Sequence, residues 1–260
     1  MNFPDIHPLY TAAGFAVGLL VGLTGVGGGS LMTPVLVLLF GVHPATAVGT
    51  DLLYASITKT GGTFVHGFNR TVDWSVTGRL AMGSVPATAI ALLALSFFSP
   101  ASTSSPVITT VLGVALILTA ISLLFRKQVL ALAATRLEEL APRRVFILTI
   151  ATGAVLGVLV TISSVGAGAL GITALIFLYP KLPTARIVGS DIAHAVPLTL
   201  IAGCGHWIMG SVDWTLLVSL VIGSLPGIVL GSIVSSRIPD RVLRPILAAT
   251  LIVAGSKLAL

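Results

Sequence analysis

Charged residues are scarce in this sequence. Only 8% of the 260 residues are charged, whereas 55% are hydrophobic. A soluble domain carries about 25% charged residues and needs them to cover its surface, so the composition excludes an ordinary soluble fold. Apolar runs of about twenty residues recur along the chain, and a helix of that length crosses the hydrocarbon core of a bilayer. The sequence therefore predicts an all-α, polytopic membrane protein.

Cysteine and early basic residues are also lacking. The single cysteine, Cys204, excludes an internal disulfide and a cysteine-based metal cluster, and its apolar surroundings predict a packing role on a helix. The first ten residues contain no Lys or Arg, unlike the start of a signal peptide, so we expect the first apolar segment to be retained. The motifs GxSxG and HExxH and a Walker lysine motif are missing. We expect no enzyme activity, no metal and no cofactor.

Ten apolar segments follow one another along the chain. They cover approximately residues 8–24, 31–41, 45–68, 74–98, 106–126, 143–162, 170–180, 185–209, 214–236 and 241–258. The second and the seventh hold about a dozen residues each and would cover about 18 Å as helices. The hydrocarbon core is ~30 Å thick, so these two segments cannot cross it alone. Whether they are re-entrant or belong to tilted spans stays open.

The basic residues are distributed unevenly among the polar stretches. The longest polar stretch, 126–144, is rich in Lys and Arg, whereas 41–46, 99–106 and 210–214 contain neither. Cytoplasmic loops of membrane proteins carry the excess of Lys and Arg, so we place 126–144 in the cytoplasm. Both termini are then external. The same rule explains the net charge of +6 without a nucleic-acid partner.

The two halves of the sequence resemble each other. Moving VGTD onto VGSD (48–51 onto 188–191) also aligns VDW with VDW and GSVP with GSLP. A nearly equal shift aligns GVGGGS (25–30) with SVGAGA (164–169). Because the charges place the start of one half outside and the start of the other inside, we predict two inverted repeats. They cover 1–126 and 143–260 and are joined by a cytoplasmic connector, 127–142.

The two glycine-rich breaks are the first candidate site. Paired inverted repeats with short, glycine-interrupted segments are typical of secondary transporters that bind substrate near the membrane midplane. Helices that begin after the breaks would direct N–H groups and a positive dipole end at an anion; close helix packing through small residues is the alternative. The candidate anion-binding residues are Thr24, Gly25, Val26, Gly27, Gly28, Gly29 and Ser30, with Thr33 as a further hydroxyl donor, and Ser163, Ser164, Val165, Gly166, Ala167 and Gly168.

Ionisable residues lie deep within the apolar segments. Lys59 is near the middle of the third segment, where a lone charge costs ~3 kcal/mol or more, and its counterpart in the second half is Thr199. Lys59 could bind the anion or act as a counter-ion to an aspartate. Asp51, Asp191 and His194 are the candidates for proton coupling, because His and Asp relay protons in pumps. The alternative is that each aspartate holds the N-terminus of a neighbouring helix.

Polar residues near the segment ends have simpler predicted roles. We expect His66 and His206 to be solvated or to cap helices. Asp73 and Asp213 each precede a tryptophan at the start of a segment. Asp is a good N-cap and Trp an interfacial anchor, so we expect both aspartates to be N-caps.

Several stretches resemble the sulfite exporter TauE/SafE family. They are GLTGVGGGSLMTPVL and HPATAVGTDL in the first half, and GVLVTISSVGAGALGITAL and RIVGSDIAHAVP in the second. The resemblance covers nearly the whole chain and implies a bacterial inner-membrane carrier of a small anion, such as sulfite or an organosulfonate. Many members are exporters, and some are driven by protons. The second break reads SVGAGA where the first has three glycines, so an anion cradle there would be less open.

The expected partners are therefore a small anionic substrate, the lipid bilayer and, if transport is coupled, protons; a homodimer is left open. The expected mechanism is alternating access around a site between the two breaks. An anion channel is one alternative. A membrane scaffold or assembly factor that transports nothing is another.

Overall fold

The protein is all-α in the part that the structure describes. This computed structural model describes residues 6–24, 29–98, 106–125, 128, 131, 141–234 and 240–259. Ten helices lie within these residues: α1 (Pro8–Thr24), α2 (Gly29–Leu38), α3 (Pro44–Phe68), α4 (Trp74–Phe98), α5 (Pro106–Leu124), α6 (Pro142–Ser163), α7 (Ala169–Leu178), α8 (Thr184–Ile208), α9 (Trp214–Val234) and α10 (Asp240–Ala259). Each coincides with one predicted segment, to within a few residues at either end.

Helix length and hydropathy identify the membrane spans. Within the described residues, five helices are long and apolar enough to cross a bilayer, over Trp74–Phe97, Val107–Leu124, Pro142–Ser163, Thr184–Ile208 and Trp214–Gly231. The second and seventh helices, α2 and α7, have only 10 residues each, which corresponds to about 15 Å. They are too short to cross alone, as the sequence predicts. Exposed apolar side chains on the long helices, such as Ile90 and Val155, suit contact with lipid.

The helices pack mainly against helices of the other half. The closest neighbours are α1 with α9, α4 with α6, α3 with α8 and α5 with α10. If α1–α5 are exchanged for α6–α10 in order, the pair α1–α9 becomes α6–α4, and the pairs α3–α8 and α5–α10 map onto themselves. The largest buried apolar cluster likewise draws on both halves, with Met32, Leu116, Leu220 and Leu251 among its members. The two sequence halves are therefore not separate packing units.

Glycines permit the closest helix contacts, and they do so at matching positions. A Cβ atom at Gly83 in α4 would overlap the carbonyl oxygen of Ile150 in α6. A Cβ atom at Gly223 in α9 would overlap the carbonyl oxygen of Thr11 in α1. These glycines occupy equivalent places in GSVP and GSLP. Small residues let membrane helices approach backbone to backbone, and here they hold α4 to α6 and α9 to α1.

The helices α3 and α8 run antiparallel through the centre of the protein. Gly49, near the start of α3, lies against the backbone of Ser211, which follows α8. Gly189, near the start of α8, lies against the backbone of Thr71, which follows α3. Each helix therefore begins where the other ends, so residues in the middle of α3 face the middle of α8.

The predicted N-caps are present. Asp73 Oδ1 accepts the backbone N–H groups of Ser75 at 3.1 Å and Val76 at 3.2 Å. Asp213 Oδ1 accepts the N–H of Leu216 at 2.9 Å. A carboxylate that accepts N–H groups of the first turn is the usual N-cap arrangement, and it starts α4 and α9 at the predicted residues.

The two histidines at the helix ends differ from each other. His206 is buried, and its Nε2 donates to the carbonyl oxygen of Thr161, in the last turn of α6, at 2.9 Å. Of the two roles expected for it, capping is therefore the one observed. His66 is half-buried, and its Nδ1 lies 2.7 Å from Thr71 Oγ1. Cys204 is partly buried against the main apolar cluster, which confirms its predicted packing role.

Candidate anion-binding site

The second break separates α6 from α7 with an irregular turn. α6 ends at Ser163, and Ser164 adopts a left-handed φ of 58°. Gly166 and Gly168 both have φ of 123°, a conformation that side chains other than glycine rarely adopt. The Ser163 hydroxyl accepts the N–H of Val165 at 3.2 Å. The break is thus an ordered turn inside the protein, as backbone at membrane depth must be.

Lys59 reaches the second break from α3. Its side chain is only 8% exposed, and its ammonium group donates to the carbonyl oxygen of Ala167 at 3.4 Å. An ammonium group has three donors, and among the described residues this is the one hydrogen bond recorded for Lys59 Nζ. Its counterpart Thr199 is also buried, but the Thr199 hydroxyl bonds to Ala195 O of its own helix at 2.8 Å. The cation therefore belongs to one half only.

Asp51 lies two turns before Lys59 on α3 and is completely buried. Its Oδ2 accepts the hydroxyl of Thr33 in α2. The carboxylate also faces the hydroxyl of Ser164 in the second break, and Lys59 acts on it electrostatically. Its Oδ1 has no hydrogen-bond partner. Asp51 is therefore bonded to α2 of its own half and lies near the break of the other half, where Ser164 Oγ has no hydrogen-bond partner.

Asp191 occupies the equivalent place on α8 and lies at the start of α7. The backbone N–H of Gly168, just before α7, faces the carboxylate, and Lys59 acts on it electrostatically. A Cβ atom at Gly171 would overlap Asp191 Oδ1, and this oxygen has no hydrogen-bond partner. The position suits the alternative role considered for the aspartates, which is to hold the N-terminus of a neighbouring helix. It also leaves the carboxylate within electrostatic reach of Lys59, although the two described side chains form no ion pair.

His194 lies one turn after Asp191 but points elsewhere. It is buried, and its Nε2 lies 2.8 Å from Ser84 Oγ in α4. Within the described part of the chain, no hydrogen bond joins it to Asp191, and its Nδ1 has no partner. The equivalent residue, Tyr54, is buried near Ser224, which corresponds to Ser84. Ser84 and Ser224 have no role that the sequence predicts, although GSVP and GSLP mark them as a repeated feature.

The first break is described only at its edges. Residues 25–28, which include four of the predicted anion-binding residues, lie outside the described residues. Thr24 ends α1, and Gly29 and Ser30 begin α2. Thr33, one turn into α2, is buried and reaches Asp51. The predicted site residues that the structure brings together are therefore Lys59, Asp51, Asp191 and the second break.

The cluster combines groups that can bind an anion with groups that can carry a proton. No group of three His, Cys, Asp or Glu residues in the described ranges is arranged to hold a metal ion. One ammonium group, the N-terminus of α7 and nearby hydroxyls can bind an anion. Two buried carboxylates with unpartnered oxygens can accept protons.

Comparison with known proteins shows where the chain belongs. The sequence profile described as "Sulfite exporter TauE/SafE" matches residues 10–258. The chain is similar to "Probable membrane transporter protein YjnA" of Bacillus subtilis, with 42% identity over 250 residues that cover 94% of this chain and 96% of that protein. It is similar to "Probable membrane transporter protein YdhB" of the same organism, with 27% identity over 241 residues, 93% and 95% of the two chains.

A more distant relative comes from another bacterium. The chain is 25% identical over 237 residues to a "Probable membrane transporter protein" of Xylella fastidiosa, which covers 87% of this chain and 84% of that protein. No solved structure matches. The profile covers nearly the whole chain, and the relatives match it along most of their length. The protein is a multi-pass membrane transporter of this type, and the chain belongs to the sulfite exporter TauE/SafE family.

Proposed function

We propose that the protein is a secondary transporter, in the direction of export, of a small anion such as sulfite or an organosulfonate. The observation that carries this proposal is the buried ammonium group of Lys59 at the carbonyl of Ala167 in the second break. A buried cation inside a membrane protein raises the free energy of the folded state unless it has a partner, so packing alone does not explain Lys59 at the backbone break. It is well suited to bind an anion that enters the break.

The family description and the relatives support the proposed substrate class and membrane location. The family description names sulfite as an exported compound, and the two Bacillus relatives carry the name of membrane transporters. Bacterial relatives and a positive-inside charge pattern support an inner membrane with both termini external. Sulfite and organosulfonates are small oxyanions, and an ammonium group with adjacent hydroxyls binds such groups.

The packing supports alternating access around this site. The helices α3 and α8, which are equivalent in the two halves, lie antiparallel with Lys59 and Asp191 between them. Equivalent helices related by a two-fold axis in the membrane plane would be arranged in this way, which supports inverted repeats. In transporters of that architecture, the substrate binds at the repeat interface near the midplane.

Proton coupling belongs to the same proposal. Asp51 and Asp191 are both buried within electrostatic reach of Lys59, and His194 is one turn from Asp191. Intramembrane carboxylates and histidines of this kind often carry protons. Lys59 would hold the anion, and the carboxylates would take up and release the coupled proton.

Flux in proteoliposomes tests the role of Lys59. Uptake of sulfite, methanesulfonate, isethionate and sulfoacetate is measured for the native protein, Lys59→Met and Lys59→Arg. We expect Lys59→Met to reduce kcat/KM by about 10-fold or more, because it removes the charge and retains most of the length, while Lys59→Arg retains part of the flux. Normal KM and kcat in Lys59→Met would remove Lys59 from the site.

The same preparation separates the alternatives. A carrier shows saturable flux and counterflow, whereas an anion channel shows neither counterflow nor saturation at low concentration. A scaffold or assembly factor shows no flux with any of the four anions.

A further inference from the structure

We infer that the groove between α4 and α6, at the end where both helices begin, binds the headgroup of an anionic phospholipid, and that Arg79 holds its phosphate. This groove is separate from the second break and from Lys59. The lipid site therefore does not depend on which anion the protein transports.

The side chain of Arg79 extends from the apolar part of α4 toward the membrane surface. Helices α4 and α6 run in the same direction, and Leu80 packs against Gly153. The backbone of Arg79 is therefore level with the residues just before Gly153. Its guanidinium carbon, however, lies 5.7 Å from the ring centroid of Phe146, nearly two turns closer to the start of α6. Arginines near the ends of membrane helices extend in this way to bring their charge to the headgroup layer.

Neutral side chains hold the guanidinium group in place. Arg79 Nη1 donates to the hydroxyl of Tyr179, at the end of α7, at 3.3 Å. The Tyr179 hydroxyl lies 2.8 Å from Thr149 Oγ1, and the Thr149 hydroxyl donates to the carbonyl oxygen of Val145 at 2.7 Å. Because Thr149 donates to a carbonyl, Tyr179 donates to Thr149 and accepts from Arg79. The three hydroxyl and guanidinium groups thus form one directed chain that fixes the position of the charge.

No carboxylate within the described residues balances this charge. Helices α4, α6 and α7 contain no Asp or Glu. Asp73, which precedes α4, accepts N–H groups of that helix. A guanidinium group has five N–H donors, and the bond to Tyr179 is the one hydrogen bond that the described residues give to Arg79. A fixed guanidinium with donors to spare suits a phosphate group, which it can bind through two parallel hydrogen bonds.

Further groups at the start of α6 suit a phospholipid. Arg143 and Arg144 are exposed, and Arg143 precedes Phe146 by three residues, so both lie on the face of α6 that Arg79 contacts. Two arginines beside one ring would repel each other without an anion between them. Above them, Met82 of α4 and Ile147 of α6 are exposed, and acyl chains can cover such apolar side chains.

The position of the groove in the membrane also indicates an anionic lipid. In the proposed orientation, α4 and α6 begin on the cytoplasmic side. The exposed ring of Trp74 at the start of α4 suits the interface there. The cytoplasmic leaflet carries the anionic lipids, and basic pockets between membrane helices on that side bind their headgroups.

The other half of the chain shows that the packing does not require a cation. The repeat shifts pair Arg79, Tyr179 and Thr149 with Ser219, Phe40 and Tyr10. The rings of Tyr10 and Phe40 pack edge to face, with centroids 5.2 Å apart. The end of α2 is therefore held to α1 as the end of α7 is held to α6, but by neutral groups alone. Arg79 has to be explained by something other than the attachment of a short helix, and a lipid phosphate on one membrane face explains it.

Native mass spectrometry of the protein in detergent measures lipid binding directly. The protein is titrated with dioleoylphosphatidylglycerol and, separately, with dioleoylphosphatidylcholine, which has the same acyl chains and no net charge. We expect the first phosphatidylglycerol to bind at least about fivefold more tightly than phosphatidylcholine, and Arg79→Gln to remove this preference. Equal affinity of the native protein for the two lipids would overturn the inference.

Matched variants separate a specific site from general attraction. Lys257→Gln, near the end of α10 on the opposite membrane face, loses the same charge as Arg79→Gln and should bind phosphatidylglycerol like the native protein. Arg79→Lys keeps the charge but not the fork of donors, so we expect intermediate affinity; it also serves if Arg79→Gln does not fold. Equal losses in Arg79→Gln and Lys257→Gln would contradict a site at Arg79.

Tyr179→Phe tests the positioning of Arg79. It copies Phe40 of the other half, keeps the ring and removes the hydroxyl that accepts from Arg79. A lipid that binds the folded protein raises its melting temperature. We expect phosphatidylglycerol to raise the melting temperature of Tyr179→Phe less than that of the native protein. Equal shifts would show that the hydroxyl does not position the charge.

The acids of the connector offer the competing partner for Arg79. Glu138 and Glu139 precede α6 and lie outside the described residues. If they neutralised Arg79, the variant with both Glu138→Gln and Glu139→Gln would melt earlier, and phosphatidylglycerol would leave the melting temperature of the native protein unchanged. That pair of results would overturn the lipid site.

The lipid experiments and the flux experiments fail separately. A protein that binds phosphatidylglycerol through Arg79 but moves none of the four anions retains the lipid site and loses the proposed function. Anion flux in a protein without lipid preference has the opposite meaning.

Discussion

The two halves of the protein share a backbone arrangement but differ in the charges that they contribute to the site. Gly83 and Gly223 make the same backbone contacts, and Asp73 and Asp213 cap equivalent helices. Lys59, in contrast, has no basic counterpart. The duplicated features set helix positions, whereas the unique one lies at the candidate site, where under the proposed function a single substrate charge would be bound. The two halves can therefore pack alike while they contribute different charges to the candidate site.

The aspartates show the same contrast at smaller scale. Asp51 and Asp191 are equivalent in sequence, both are buried, and Lys59 acts on both electrostatically. Asp51 has a hydroxyl partner, Thr33, whereas Asp191 faces a backbone N–H at Gly168. Equal positions in a repeat therefore have unequal chemistry, because the neighbouring helix presents a different group.

The largest expected effect concerns the shared backbone contacts. Gly83→Ala places a methyl group on the backbone of α6, which cannot move aside without shifting the helix. We expect a loss of about 1–3 kcal/mol or more of stability, seen as a strong fall in melting temperature in detergent. Gly223→Ala should cost a similar amount, since it meets the backbone of α1 in the same way.

Gly78 provides the matched control on the same helix as Gly83. A Cβ atom there meets nothing within 4 Å. Gly78→Ala should leave stability unchanged or raise it by about 0.5–1 kcal/mol, because Ala favours helix. If Gly83→Ala and Gly223→Ala differed widely, the packing of the two halves would be less alike than their contacts indicate.

The second prediction concerns a substitution that removes the charge difference between the two halves. Lys59→Thr copies the residue at the equivalent position, and we expect it to lower kcat/KM for methanesulfonate by about tenfold or more. Thr199→Val removes the hydroxyl that bonds to its own helix at Ala195, so we expect flux within about twofold of the native protein. Similar losses in both variants would mean that the two positions contribute equally and that the charge is not what matters.

Much of the fold could be predicted from the sequence, because helix ends have local signals. Asp73 and Asp213 cap the helices that they precede. The lengths of the apolar runs indicate the other helix boundaries. The helix partners could not be predicted. Gly83 contacts Ile150, which is far from it in the sequence. The residues around either position do not indicate which helix will pack there.

The residues of the candidate site could be predicted from the sequence, but their partners could not. Lys59 and Asp51 were conspicuous as charges in apolar sequence, but their partners depend on tertiary packing. The carbonyl of Ala167 as acceptor for Lys59 and the pairing of His194 with Ser84 required the structure. A serine in an apolar helix carries no signal that tells whether its hydroxyl faces its own backbone or a neighbouring side chain.

The third prediction displaces Asp191 without changing its charge. Gly171→Ala adds a methyl group where Asp191 Oδ1 lies, so the carboxylate must move away from the start of α7. We expect kcat/KM to fall by about threefold to tenfold while the protein still folds. Gly62→Ala in α3 is the control, because its Cβ would meet Ile192 at an ordinary 3.4 Å. An unaffected Gly171→Ala would show that the exact position of Asp191 is unimportant for transport.

The smallest expected effect concerns the duplicated helix caps. Asp73→Ala removes hydrogen bonds to two backbone N–H groups, Ser75 and Val76, and Asp213→Ala removes one to Leu216. Loss of an N-cap costs about 1 kcal/mol, so both variants should melt slightly earlier than the native protein, Asp73→Ala by the larger margin.

The corresponding Asn variants separate the cap from the charge at these two positions. Asn also caps helices well, so Asp73→Asn and Asp213→Asn should retain nearly native melting temperatures. Anion flux should stay within about twofold of the native value in all four variants, because neither cap contacts the candidate site. A loss of flux with unchanged melting temperature in Asp73→Asn but not in Asp213→Asn would extend the asymmetry of the site to the loop between α3 and α4, which leads directly from the helix of Lys59.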